Sequence, residues 1–238
     1  MLERAAEAGI ERILVPGWDL ASSEAALELA ASYTPMVQAA VGIHPHDAAA
    51  ATADEATWAQ LEALAADAGC VAVGEIGLDF HRNLSPRETQ RAAFNRQLEL
   101  AARLGKAVVV HDRDAHEEGR AALLAWGGRA GQPARGMLHA FSGDAAMAST
   151  LARAGFLISF ALPISFRSAA GPRAAAAALP ASAILVETDA PYLGPDPDRR
   201  NEPTTVLRVA SELARLRREE PTAIASHART AYERLVAH

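Results

Sequence analysis

Short apolar runs recur along the chain at residues 10–15, 36–43, 71–76, 107–110, 136–138, 156–160 and 184–186. They are mostly aliphatic or β-branched and too short for an ordinary helix, so each reads as a strand. Between them the period changes. Residues 22–33 carry apolar side chains at helical spacing, and Asp54 can cap a helix over 55–68 with Gly69 as its stop. Ser85-Pro86-Arg87-Glu88 has the form of a capping box with proline at the first helical position. Its helix turns Phe94, Leu98, Ala101 and Ala102 inward and should end at Gly105. Asp144 can cap 145–154, closed by Gly155, and the Ala-rich stretch 174–179 is explained by a plain helix. Residues 202–217 and 222–236 read as two further helices whose Arg- and Glu-rich surfaces face solvent.

Strands alternating with helices predict parallel pairing and an α/β fold. Seven strands fall one short of the eight that close a TIM-type (β/α)8 barrel. Residues 2–8 read as a helix stopped by Gly9 with no strand before it, whereas a βα unit begins with its strand. The expectation is therefore a barrel of that type lacking its first strand, with seven strands present. No linker interrupts residues 1–238, which read as a single domain. Residues 191–203 form a Pro/Gly-rich loop after the last strand, and loops of that length in compact domains are often functional.

Composition narrows the function classes. Half the residues are hydrophobic and 22% are charged, enough apolar mass for a substantial core. A net charge of −6 argues against a broadly basic nucleic-acid-binding surface. It leaves nucleic acid open, because bound divalent ions can supply positive charge where a phosphate sits. Cys70 is the only cysteine, so no intramolecular disulfide can form, and it reads as a small buried hydrophobe. No signal peptide and no apolar run near the ~18 residues of a membrane span are found. A cytoplasmic, monomeric protein without a membrane or protein partner is expected.

Four of the apolar runs end in potential metal ligands. Residues 71–76 carry Glu75, 107–110 run into His111, 137–138 run into His139, and 184–186 lead through Glu187 and Thr188 to Asp189. The carboxyl ends of parallel strands lie on one face of a sheet, so two carboxylates and two imidazoles are expected to converge there. A strand-end hydrogen bond explains any one of them. Clustered His, Asp and Glu is the usual signature of a metal or catalytic site.

The motifs around these residues carry a family resemblance. Gly42-Ile43-His44-Pro45-His46, Gly74-Glu75-Ile76-Gly77-Leu78-Asp79, Val110-His111-Asp112-Arg113, Leu138-His139-Ala140-Phe141-Ser142-Gly143, Glu187-Thr188-Asp189-Ala190-Pro191-Tyr192-Leu193 and Arg200-Asn201-Glu202-Pro203 resemble, in that order, the TatD family of metal-dependent hydrolases and deoxyribonucleases. The resemblance spans essentially the whole chain, and the ordered set is far more specific than any single motif. It implies an amidohydrolase-type barrel with two divalent ions. Carried over by motif, Glu75 bridges both ions, His111 and His139 bind one, and Asp189 binds the other and poises the attacking water. Two cations held roughly 3.5–4 Å apart can clamp the attacking and leaving oxygens of a phosphodiester. A carboxylate such as Asp189 can take or relay the water's proton.

The implied activity is hydrolysis of DNA phosphodiester bonds, on single strands or ends. Hydrolysis of an ester or amide, such as an aminoacyl-tRNA ester, fits the same scaffold. Imidazole plus carboxylate suits Zn, Mn, Ni or Fe, while nuclease assays often run on Mg, so the sequence does not distinguish these metals. The family also holds one ion with a His-x-His pair at the end of its first strand, and that pair is absent here. His44-Pro45-His46 matches a different motif, which reads as a substrate contact or a structural turn and not as a substitute metal pair. A third reading follows: one half-site incomplete, one ion bound well at most, and a catalytically impaired chain. Arg113 shares a face with His111 and reads as a phosphate contact or as an ion pair with Asp79 or Glu187. Asp79 either orients a ligand histidine or caps the next loop. Arg199, Arg200 and Asn201 contact phosphate or fix their loop, His81 and Arg82 read as solvated loop residues, and His116, His227 and His238 read as surface histidines.

Overall fold

The computed structural model describes residues 1–127, 135–196 and 198–237. Among them the elements run α1 (Leu2–Glu7), β1 (Ile13–Pro16), α2 (Leu20–Ser32), β2 (Val37–Val41), α3 (Ala48–Thr52), α4 (Glu55–Ala66), β3 (Cys70–Asp79), α5 (Arg87–Leu104), β4 (Ala107–Arg113), α6 (His116–Gly127), β5 (Gly136–Leu138), α7 (Ala145–Arg153), β6 (Leu157–Phe160), α8 (Ala170–Ala178), β7 (Ile184–Val186), α9 (Val206–Arg217) and α10 (Pro221–Val236). All seven predicted strands are present. Contacts group the chain into two compact units, Arg12–Met137 and Met1–Glu11 with Leu138–Ala237. No helix among the described residues is long and apolar enough to cross a membrane.

In the unit Arg12–Met137, β1 to β4 pair in chain order, all parallel. Ala39, Ala40, Val41, Ala72, Val73, Val108 and Val110 are completely buried. Burial on both faces is why β3 and β4 read as apolar runs, whereas β1 is only half-buried at all four of its residues. The ladder runs on past those runs: Gly77 pairs His111, Leu78 pairs Asp112 and Asp79 pairs Arg113. The polar side chains therefore sit on regular strand, not on loops. Three glycines let the strand ends approach. A Cβ on Gly42 would lie 2.7 Å from the Gly74 carbonyl carbon, and one on Gly74 would lie 2.5 Å from Val109 Cβ. Gly77, at φ +141°, would set a Cβ 1.9 Å from the His111 carbonyl oxygen.

Several helix starts differ from the sequence reading: α8 begins at Ala170, and α9 at Val206 after a 3-10 turn over Pro203–Thr205. Two differences lie in the capping. α2 begins at Leu20, because Asp19 accepts the Ser22 N–H at 2.8 Å while Ser22 Oγ accepts the Asp19 N–H at 3.0 Å, a reciprocal capping box. The box expected at Ser85 does not form. Ser85 Oγ is buried, donates to the His46 carbonyl at 2.8 Å and accepts the Ala49 N–H at 3.0 Å, so the loop after β2 takes the hydroxyl that α5 would have used. The far end of α5 follows expectation, with Gly105 in the left-handed region at φ +65°.

In the unit of Met1–Glu11 with Leu138–Ala237, β6 and β7 pair in parallel. Leu151, Phe156, Ile158, Phe160, Leu213 and Ile224 form its buried centre. Phe141 meets Phe160 edge-to-face, with ring centroids 6.2 Å apart, which aligns the chain after β5 with β6. Asp144 caps α7 through the Met147 N–H as predicted.

Candidate metal centre

The ends of β2, β3 and β4 carry the densest chemistry of the first unit. His44 follows β2, Glu75 lies in β3 and His111 in β4. One ligand atom from each of these three residues lies within 4.8 Å of the other two. Glu75 Oε1 stands 2.9 Å from His111 Nδ1 and 3.6 Å from His44 Nε2. The imidazoles of His44 and His111 meet edge-to-face, centroids 4.7 Å apart. Burial, opposed by Glu75 and assisted by His111 and His46, lowers the His44 pKa to about 3. A neutral imidazole with an available lone pair is the form that binds metals.

Main-chain bonds fix this cluster. The His44 N–H donates to the Trp18 carbonyl and the Glu75 N–H to the Gly17 carbonyl, both at 2.8 Å. The preceding peptide is held from the other side by α5. Gln97 accepts the Ile43 N–H at 2.7 Å and donates to the Ile43 carbonyl at 3.0 Å. Seven residues earlier on the same helix, Gln90 accepts the Asp79 N–H at 2.8 Å and donates to the Asp79 carbonyl at 3.1 Å. Both glutamines are buried. The sequence reading missed them, although the signal was present: an amide at 90 and at 97 on the face that carries Phe94, Leu98 and Ala101.

Asp79 resolves both of its expected alternatives. Oδ2 lies 2.8 Å from His46 Nε2 and 3.2 Å from His111 Nε2, so it orients histidines. Oδ1 accepts the Arg82 N–H at 2.7 Å, so it also closes the following turn. Burial works to raise the Asp79 pKa. Hydrogen bonds from His111, the Arg82 N–H and His46 outweigh it and hold the carboxyl well below its usual range. The structure thus separates His44 from His46: His44 stands with the ligand atoms, and His46 stands against Asp79. Arg113 is exposed at the end of β4, opposite Asp79 in register.

The second unit holds its own group. His139 Nδ1 lies 2.8 Å from Glu187 Oε1, and His139 Nε2 lies 3.7 Å from Asp189 Oδ1. Glu187 Oε1 also accepts the Ala140 N–H at 2.9 Å. Its partner atom Oε2 is buried without a hydrogen bond among the described residues. Ala140 and Asp189 both adopt left-handed backbone, at φ 41° and 56°, a conformation that non-glycine residues hold mainly where surrounding contacts impose it. A carboxylate on Nδ1 fixes the tautomer and leaves Nε2 as the ligand atom. Glu187 is the residue that the sequence reading considered only as a partner for Arg113. Asn201 fixes its loop: its side-chain N–H groups donate to the Thr188 and Tyr192 carbonyls at 2.7 and 2.6 Å.

The arrangement can be set beside known proteins. The family model for TatD-related DNases matches residues 1–237. A protein of Mycobacterium tuberculosis (strain ATCC 25618 / H37Rv) named an uncharacterized metal-dependent hydrolase TatD is 40% identical, over 98% of this chain and 89% of its own length. A protein of Edwardsiella piscicida named a 3′-5′ ssDNA/RNA exonuclease TatD is 38% identical, over 92% of this chain and 85% of its own. The crystal structure of YjjV, a TatD homologue from Escherichia coli K12, superposes with a TM-score of 0.87 at 32% identity, covering 99% of this chain and 90% of that one. That likeness makes the fold the TIM-like α/β one that the strand–helix alternation predicts.

Proposed function

The chain belongs to the TatD-related DNase family, and on that premise we propose that this metal-dependent hydrolase is a nuclease that cleaves phosphodiester bonds of single-stranded DNA. The observation that carries the reading is the His44–Glu75–His111 cluster: two imidazoles and a carboxylate, with one ligand atom of each within 4.8 Å of the others. This donor set fits a divalent ion of the Zn, Mn, Ni or Fe kind. A bound ion supplies a Lewis acid for water and a counter-charge for the phosphoryl oxygens.

The chain's own residues do the rest. Glu75 and His111 would hold the ion, and Asp79 and Gln97 keep their neighbours in register. His44 is either a third donor or a contact to the phosphate. The sequence resemblance adds His139 as a further ligand and Asp189 as the group that would take the proton of the attacking water. His46 and Arg113 approach the substrate. In a protein of net charge −6, the metal is the main local attraction for a polyanion.

The test is hydrolysis of a fluorescent single-stranded oligonucleotide with Mg²⁺ or Mn²⁺, run beside carboxylic-ester substrates with Zn²⁺. Oligonucleotide cleavage that Glu75→Gln abolishes is the expected result. Metal-loaded protein that hydrolyses esters and leaves the oligonucleotide intact overturns the nuclease reading.

A further inference from the structure

Trp18 stands beside this cluster and has no part in it. Of the three tryptophans, Trp58 is buried beneath the Arg96 guanidinium and the half-buried Trp126 donates its indole N–H to the Leu98 carbonyl at 2.7 Å. Trp18 is 56% exposed. Its backbone is nevertheless among the best anchored of the unit. The Trp18 N–H donates to Ser22 Oγ at 2.9 Å, inside the box that starts α2. Its carbonyl accepts the N–H of His44, and the carbonyl of Gly17 accepts the N–H of Glu75, both at 2.8 Å. A Cβ on Gly17 would lie 2.2 Å from Ser23 Oγ, so α2 presses directly on this dipeptide. A large apolar ring is thus kept in water, on main chain that is bonded directly to His44 and, through Gly17, to Glu75.

An exposed indole beside a candidate metal centre offers a flat contact surface, and charge selects its occupant. The adjoining centre is built of two imidazoles and a carboxylate, with no Lys or Arg among the three. A flat π-face binds another π-face without regard to charge, and every nucleobase has one. We propose that Trp18 is the stacking platform for a nucleobase of the substrate and sets the preference for unpaired strands. The proposal rests on the nuclease reading. A paired base keeps its faces inside the duplex, so only a base free of its stack can lie on the ring.

Tyr33 supplies the control. It is also exposed and also belongs to this unit, but it ends α2 ahead of β2, away from the strand ends that carry the ligands. Steady-state kinetics of wild type, Trp18→Ala, Trp18→Phe and Tyr33→Ala are compared on an oligonucleotide and on an abasic oligonucleotide of the same length. Trp18→Ala is expected to lower kcat/KM on the normal strand about 5- to 100-fold more than on the abasic one, mostly through KM. Trp18→Phe stays within about threefold of wild type, and Tyr33→Ala changes neither substrate. Equal losses on both strands, or none, overturn the platform. Binding is read separately, by quenching of the long-wavelength indole emission as oligonucleotide is added. Cleavage without quenching overturns the platform and leaves the nuclease reading standing. Quenching in wild type and not in Trp18→Phe, without cleavage, supports the platform and overturns the nuclease reading. Absence of both overturns both.

Discussion

Gln97→Leu isolates the clamp that sets the candidate metal centre. Leucine approximates the glutamine's volume and keeps helix propensity, so what is lost is the pair of bonds to Ile43, at 2.7 and 3.0 Å, and a longer one to the Ala93 carbonyl, which stays paired within its helix. Ile43 is 2% exposed and Gln97 1%, so water cannot replace the amide. Each stranded buried peptide group costs about 1–3 kcal/mol, and burying leucine's apolar surface returns about 1–2 kcal/mol. The net loss is about 3 kcal/mol. In a chain of this size that lowers Tm by about 6–12 °C. Urea unfolding of the EDTA-treated protein measures it. A shift below about 0.5 kcal/mol at unchanged m refutes the clamp. Calorimetric titration with Mn²⁺ checks the link to chemistry, because Ile43 immediately precedes His44. Lost stability with unchanged metal affinity would show that the clamp serves the fold alone.

Three further outcomes follow from the same geometry. Glu75→Gln removes the carboxylate shared by His44 and His111, and Mn²⁺ or Zn²⁺ titration should show binding weakened well beyond tenfold; wild-type affinity would mean that the cluster is no metal site. Asp79→Asn keeps the shape but weakens the hold on His111 and His46, and metal affinity should fall about 10–100-fold with circular dichroism unchanged. In the metal-free protein, His44 stays neutral when folded down to a pKa of about 3, whereas in the unfolded chain it titrates near 6.5. The unfolded state therefore binds the extra proton between those values, and stability falls as pH drops from 6.5 toward 3, by up to about 1.4 kcal/mol per pH unit. Asp79, whose pKa is depressed, adds its own loss below about pH 4. Denaturation midpoints that stay flat from pH 6.5 to 4.5, or that His44→Asn does not flatten, contradict this account.

The strands were legible because burial on both faces leaves only apolar residues, and the ligands were legible because they interrupt those runs at the carboxyl end. β3 and β4 outlast their apolar runs for the same reason: Asp79 and Arg113 are ladder residues with polar tasks. The Ser85 capping box failed because a tetrapeptide pattern cannot announce that His46 and Ala49 will compete for the hydroxyl. Gln90 and Gln97 escaped notice because an amide on an apolar stripe reads as an imperfection until its peptide partners, eleven and fifty-four residues away in sequence, are known. His44 was separable from His46 only in three dimensions, since two-residue spacing after a strand does not say which ring meets Glu75 and which meets Asp79. The tautomer-setting contact of Glu187 with His139 likewise spans two strand ends far apart in the chain.

Gly42, Gly74 and Gly77 close the seam between β2, β3 and β4 with hydrogen atoms alone. For anyone wishing to retune the metal preference, the positions nearest Glu75 along its own strand are therefore not available as variables. Libraries have to work from the flanks, through His46, Asp79 and the two α5 glutamines. A saturation screen scored only by turnover will also rank these glycines with the ligands, although they contribute no donor atom and no proton. Scoring abundance alongside turnover will sort the two groups, since a side chain forced into the seam removes the folded protein and a changed ligand removes only its product.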